Sequence, residues 1–161
     1  MTIVFQTLTT DTCAAVHAVA LAAWQATYQT IFDPATIHAF VTKYYAVEHL
    51  QSLVESATRK DIYFETVAED DCVIGFCHIG VQQDEGHLWR IYLLPRAQGR
   101  RLGAAFLERG EHWLRQRHIF VYGCFVHPAN TSALQFYQHC GFVACPERDA
   151  GDGVWYTKTL K

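Results

Sequence analysis

Ile91-Tyr92-Leu93-Leu94-Pro95-Arg96-Ala97-Gln98-Gly99-Arg100-Arg101-Leu102-Gly103-Ala104 is the stretch that decides the fold. It opens as a strand. Pro95 closes that strand, because proline has no N–H to give to a ladder. A basic loop with two glycines follows, and a helix runs from about Arg101 to Gln116. A strand, a loop and a helix start in this order make a place for an anion. The first helical turn carries unpaired N–H groups and the positive end of the macrodipole. Gly99 and Gly103 lack a Cβ, so a ligand can approach the main chain there. Arg96, Arg100 and Arg101 add charge suited to phosphate. The spacing fits neither a dinucleotide G-x-G-x-x-G nor a P-loop.

Outward from this stretch, the elements follow from period and punctuation. Ile3 to Leu8 predicts a strand, and Thr9, Thr10 and Asp11 offer an N-cap to a helix with Val16, Val19, Ala20, Ala23, Trp24 and Tyr28 on one stripe. Asp33-Pro34 starts a second helix ending near Lys43, and Val47 to Ala57 predicts a third. Ile62–Ala68, Cys72–Val81 and His87–Leu94 read as a three-stranded meander with polar turns at 69–71 and 82–86. Phe120–Val126 is a further strand. Coming after strand and helix, it lies parallel to His87–Leu94 by a right-handed crossover. Asn130 caps a short helix that Gly141 stops. Two last strands, Phe142–Arg148 and Val154–Leu160, flank a hairpin turn at 149–153.

Composition bounds the function. The chain has 161 residues, half of them apolar and 18% charged, which suits one domain with a sizeable core. Sixteen acidic against thirteen basic residues, with no block of like charge, argue against nucleic acid as partner. No apolar run approaches the roughly 20 residues of a membrane span, and the N-terminus is not signal-like, so no membrane partner and a cytoplasmic location are expected. Cys13, Cys72, Cys77, Cys124, Cys140 and Cys145 show no C-x-x-C and read as thiols of a reducing compartment. The nine histidines form no H-x-x-x-H pair, so no metal site is expected.

Two motifs carry a resemblance. Gln98-Gly99-Arg100-Arg101-Leu102-Gly103 resembles the acyl-CoA pyrophosphate loop Q/R-x-x-G-x-G/A of the GNAT superfamily of N-acetyltransferases. Gln98 and Gly103 match, and Arg101 stands where the first glycine is usual. Downstream, Asn130, Ala133, Phe136-Tyr137 and Gly141-Phe142 match that family's second signature. The resemblance covers residues 63 to 160 well and the first sixty in element order. It implies an α/β (α+β) fold with a mixed, mainly antiparallel central sheet of about six or seven strands. About four or five helices flank it, and a parallel, splayed strand pair forms the cofactor site. It also implies acetyl-CoA as co-substrate and a single domain over residues 1–161. The order Trp24, Tyr28, a helix pair and Tyr63-Phe64 is similar to the branch that includes spermidine/spermine acetyltransferases.

The resemblance assigns roles by position. Backbone N–H groups of Ile91 and Leu93 bond the acetyl oxygen and the pantetheine arm. The backbone of Gln98, Gly99, Arg100, Arg101, Leu102, Gly103 and Ala104 holds the pyrophosphate, and the Asn130 side chain holds the cofactor's arm. Tyr137 protonates the departing sulfur, or else is a core tyrosine. Trp24 and Tyr28 either pack the core or wall the acceptor pocket. Several members carry a glutamate eleven residues before the loop's first motif residue, and His87 stands there. His87 is either a base suited to neutral pH or a surface histidine, with Glu85 as the fallback. Asp33, Glu48, Glu55, Asp61, Glu65 and Asp84 would suit a polycation.

The expected activity is direct transfer of acetyl to a primary amine of a small molecule or peptide, with a polyamine as the narrower alternative. A CoA-binding module without catalysis and a structural α/β domain are the competing classes. The resemblance allows a homodimer.

Overall fold

The computed structural model describes residues 1–161. Strand β1 (Ile3–Thr7) leads to helix α1 (Cys13–Tyr28) through a short 3-10 turn. At that turn Thr9 and Thr12 cap each other, the Thr9 N–H donating to Thr12 Oγ1 at 3.1 Å. Helix α2 (Pro34–Tyr44) starts where Asp33 Oδ1 accepts from the Thr36 N–H at 2.7 Å, with Pro34 in the position where its missing N–H costs nothing. Helix α3 (Val47–Thr58) precedes a meander of β2 (Tyr63–Glu69), β3 (Cys72–Gln82) and β4 (Glu85–Leu93). Helix α4 (Leu102–Arg115), β5 (Val121–Val126), α5 (Thr131–His139), β6 (Val143–Ala144) and β7 (Val154–Thr159) complete the chain.

The seven strands form one sheet in the order β1-β2-β3-β4-β5-β7-β6. Every neighbouring pair is antiparallel except β4 and β5. The exception follows from connection length. Two-residue turns let a strand fold straight back, whereas the α4 crossover returns the chain in the same direction.

Two expected boundaries moved. The turn before β4 is only Gln83-Asp84, both left-handed at φ 53° and 62°, so the strand starts at Glu85 and not at His87. The strand expected over Phe142–Arg148 shrinks to Val143–Ala144, because Pro146 has no ladder N–H and opens a 3-10 turn.

The sheet is covered on both faces. One core gathers α4 and α5 residues such as Phe106, Leu114 and Tyr137 against Tyr63, Cys77 and Leu88. The other gathers α1 to α3 residues such as Val16, Val41 and Leu50 against Phe64 and Phe76. Neighbours Tyr63 and Phe64 therefore serve opposite cores, as the two-residue period of a strand requires. Helix α4 is also pinned by a charge. Buried Glu111 accepts from the Tyr122 hydroxyl and from Lys158 Nζ, each at 2.6 Å. Burial, and then the Glu111 bond, push the Tyr122 pKa up.

The parallel pair sets up the site. β4 and β5 pair only at Gly86–Tyr122 and His87–Gly123. A Cβ on Gly86 would lie 2.6 Å from the Tyr122 Cβ, so glycine permits the close approach at this end. Beyond it the register of β3 and β4 slips, His78 facing Arg90 while Ile79 faces Leu88. Trp89 is the extra residue of a bulge, and bulges bend the strand that carries them. β4 and β5 then part in a V.

Candidate active site

The open edge of β4 offers main-chain groups to a ligand. The Leu94 N–H donates to the Ile74 carbonyl of β3 at 2.9 Å. Successive residues of a strand point their N–H and C=O to opposite sides. Leu93 and Ile91 therefore aim theirs away from β3, into the V where no strand answers.

The loop after β4 continues this supply. Pro95–Ala97 makes a 3-10 turn, and Gly99 and Arg101 are left-handed at φ 74° and 63°. The N–H groups of Gly99, Arg100, Arg101, Leu102, Gly103 and Ala104 donate to no backbone carbonyl. All of these residues but Arg100 belong to the wall of a cavity of about 440 Å³, which also includes Ile91, Leu93, Gln98, Asn130 and Tyr137. Gly103 lies against Phe136 of α5, where a Cβ would sit 3.1 Å from the ring, so glycine lets the start of α4 pack closely on α5, and the start of α4 suits an anion. Arg100 is the loop residue outside this wall. Its side chain, with that of Arg96, binds Glu69 at the end of β2, and this bond holds the Glu69 carboxyl below its usual range. The two arginines anchor the loop, and Arg101 keeps its side chain at the cavity.

A second, smaller cleft of about 90 Å³ fills the V between β4 and β5. It shares Ile91, Tyr92, Asn130, Ala133 and Tyr137 with the larger cavity. Asn130 Oδ1 caps α5 by accepting from the Ala133 N–H at 3.1 Å, and Nδ2 donates to the Tyr28 hydroxyl at 3.4 Å. One amide N–H of Asn130 is left for a ligand. Tyr137 is buried, and burial raises its pKa well above the usual value. It reaches both hollows and is held neutral.

A family model described as the acetyltransferase (GNAT) family matches residues 20–142, a span that includes the loop, the V and Tyr137. The chain belongs to the GNAT acetyltransferase family. It is 28% identical over 125 residues to a spermidine N(1)-acetyltransferase of Thermoplasma acidophilum, covering 77% of this chain and 78% of that protein. It is 35% identical over 80 residues to a mycothiol acetyltransferase of Rhodococcus erythropolis, covering 46% of this chain and 27% of that protein. The crystal structure of PaiA N-acetyltransferase from Thermoplasma acidophilum in complex with coenzyme A superposes with a TM-score of 0.94 at 24% identity, covering 99% of this chain and 100% of that one.

Within this GNAT fold the sequence's candidates divide. Tyr28 walls the smaller cleft. Trp24 stands one layer behind, its indole N–H donating to the Tyr92 hydroxyl at 3.0 Å and its ring stacked on Phe40 at 4.0 Å. His87 lines neither hollow. It sits at the closed end of the V, stacked on Trp89 at 4.8 Å with the tilted Trp155 ring 5.2 Å away, and burial lowers its pKa. Glu85 is bound to Arg148 at 2.6 Å and lines neither hollow. Among the carboxylates expected to suit a polycation, Glu55 and Asp61 bind Arg59, and Glu65 binds Arg109. None of the six lines the cleft.

Residues given no role from the sequence, among them Arg90, Tyr92, Cys124, Phe125 and His127, make up most of the cleft. Trp89 and Phe125, each about half exposed, form its rim. The signal was position. Residues at the carboxyl ends of two parallel strands flank whatever enters between them. His127 Nδ1 accepts from the Ala129 N–H at 3.1 Å, which leaves the ring proton of the neutral form on Nε2.

Proposed function

We propose that this chain is a single-domain enzyme that transfers acetyl from acetyl-CoA to a primary amine of a small molecule or peptide, by direct attack in a ternary complex. The observation that carries the reading is the pair of adjoining hollows. One is rimmed by unbonded N–H groups suited to a pyrophosphate, and the other is a narrow cleft between β4 and β5. They meet at Ile91, Asn130 and Tyr137. The name of the coenzyme A complex with the same fold supports the choice of thioester.

The chemistry follows from these groups. The amine nitrogen attacks the thioester carbonyl carbon, so a C–N bond forms and the C–S bond breaks. The Ile91 N–H, aimed into the V, donates to the carbonyl oxygen as it becomes an oxyanion. The Leu93 N–H bonds the pantetheine arm. Tyr137 gives its proton to the leaving sulfur, and the proton that the amine sheds returns to the enzyme through solvent. A free alkyl amine has a pKa of about 10.4, so it arrives charged. The cleft wall holds no carboxylate, and loss of water favours the neutral amine there.

The test has two steps. Calorimetry with acetyl-CoA, with NAD as control, measures binding by the native protein and by Ala104→Glu. Ala104 is exposed at the helix start, where a carboxylate suits the helix and repels a pyrophosphate. The expected result is saturable binding that the variant loses, followed by free thiol release with an amine panel. No binding by the native protein overturns the reading. Binding with no amine-dependent thiol release leaves a cofactor-binding module.

A polyamine acceptor is the second reading, favoured by the spermidine named for the relative from Thermoplasma acidophilum. The wall of the cleft runs against it. A polycation needs anionic partners, and Arg90 is the charged side chain lining the cleft.

A further inference from the structure

Arg90 is a cation without a counter-ion. Its guanidinium lies 4.9 Å over the Tyr45 ring, and Nη2 is 3.3 Å from His49 Nε2. Nη1 is buried with no hydrogen-bond partner. Arg59, Arg96, Arg100, Arg109, Arg115 and Arg148 each have a carboxylate within 4 Å; Arg90, Arg101 and Arg117 have none, but Arg101 is exposed and Arg117 donates to the Trp113 and Lys60 carbonyls. A buried charge is costly unless it is paired. Burial pulls the Arg90 pKa down, yet nothing here approaches what is needed to neutralise a guanidinium.

The surroundings sharpen the point. His78, opposite Arg90 in the ladder, is buried with Nδ1 unpartnered. Burial and then the Arg90 charge hold it neutral. Tyr45 and Tyr92 are held protonated by burial. No carboxylate lies within 4 Å of the guanidinium, although α3, which brings His49 to it, also carries Glu48 and Glu55. Arg90 lines the acceptor cleft and is adjacent in sequence to Ile91, whose N–H faces the reacting carbonyl in the proposed mechanism. A planar anion entering the cleft would meet the guanidinium fork, a geometry that suits carboxylate.

We propose that the acceptor is a short amine that also carries a carboxylate, and that Arg90 binds this carboxylate and so sets substrate specificity. The proposal rests on the acetyltransferase reading above. The small cleft volume restricts the acceptor to a short chain, and the missing carboxylates leave a polyamine nothing to bind.

The experiment measures kcat/KM for glycine, β-alanine and γ-aminobutyrate, each beside its own amide, with spermidine included and rates compared per free amine. In the native enzyme at least one amino carboxylate exceeds its amide by about 10- to 100-fold, the range of a charge-assisted hydrogen bond. Arg90→Gln brings that ratio close to one, and Arg90→Lys, with the charge but not the fork, restores part of it. Acetyl-CoA calorimetry on each variant shows that the fold and the other hollow persist. Preference for the amides or spermidine overturns the proposal. So does a ratio that Arg90→Gln leaves in place while every rate falls alike, the outcome of a merely structural arginine. Acetyl-CoA binding without turnover of any pair overturns it too, and leaves the cofactor reading standing. No acetyl-CoA binding sinks the reading beneath it.

Discussion

Tyr137 and Cys124 meet in the wall of the smaller cleft, and burial raises the pKa of both, that of Cys124 to about 12. Cys124 reports what this environment does to a thiol. A leaving thiolate in the same hollow is far more basic than one in water, where a thiol has a pKa of about 8.5. It therefore draws the proton from Tyr137 although that tyrosine is itself a weak acid. Tyr137→Phe removes the donor and keeps the ring. The expected loss in kcat is about 100-fold, within the range of general acid catalysis, with the acetyl-CoA KM retained. An unchanged kcat means that the sulfur leaves without this proton.

The position of His87 makes a prediction about pH. Its ring is stacked on Trp89 and touches the tilted Trp155 ring outside both hollows, and burial lowers its pKa. The amine's own ionisation then sets the profile. Log kcat/KM rises with a slope near one from about pH 6 to pH 9, short of the amine pKa of about 10.4. His87→Ala keeps that slope, with a loss in rate of about threefold or less. A break near pH 6.5 that this substitution abolishes would restore His87 as the base.

Arg101 holds a backbone conformation that suits glycine, φ 63° and ψ 13°. A non-glycine residue there costs about 1–2 kcal/mol, partly balanced by the freedom that glycine loses on folding. Its exposed side chain lines the larger hollow. Arg101→Gly is expected to raise unfolding free energy by about 0.5 kcal/mol in urea titration, and to weaken acetyl-CoA binding about threefold in calorimetry. A loss of stability would show that the loop is not strained. Unchanged affinity would show that the side chain takes no part in binding.

Acid should find His78 early. Burial, and then the charge of Arg90, lower its folded pKa to about 3, against 6.5 for the free side chain. The folded pKa is depressed, so the unfolded chain takes up a proton first as pH falls. Stability is full above about pH 6.5 and drops through the window down to about pH 3. At pH 5 the loss from this residue is about 2 kcal/mol, at 1.36 kcal/mol per unit. His78→Phe, stacking on Phe64 as the imidazole does at 5.0 Å, flattens the decline between pH 6.5 and pH 5 in denaturant titrations. An equal decline in the variant would assign it to other groups.

Local rules determined much of this protein from its sequence. The period of apolar residues placed the five helices and the meander, because a stripe or an alternation is a property of neighbours in the chain. Asn130, Asp33 and Pro34 marked helix starts for the same reason, since capping is decided within four residues. The glycine-bearing basic loop and the Asn130 to Phe142 signature pointed to the residues that line the larger hollow. Tertiary structure alone decided the rest. Whether Arg100 faces a ligand or Glu69 depends on a strand end 31 residues away. That His87 packs against Trp89 and Trp155, while His127 lines the cleft, depends on where a bulge lets β4 leave β5. Arg90 reads in sequence as an ordinary strand cation. Its meaning is that no carboxylate comes within 4 Å of it while Nη1 is buried without a partner, and only the folded chain decides which side chains surround it.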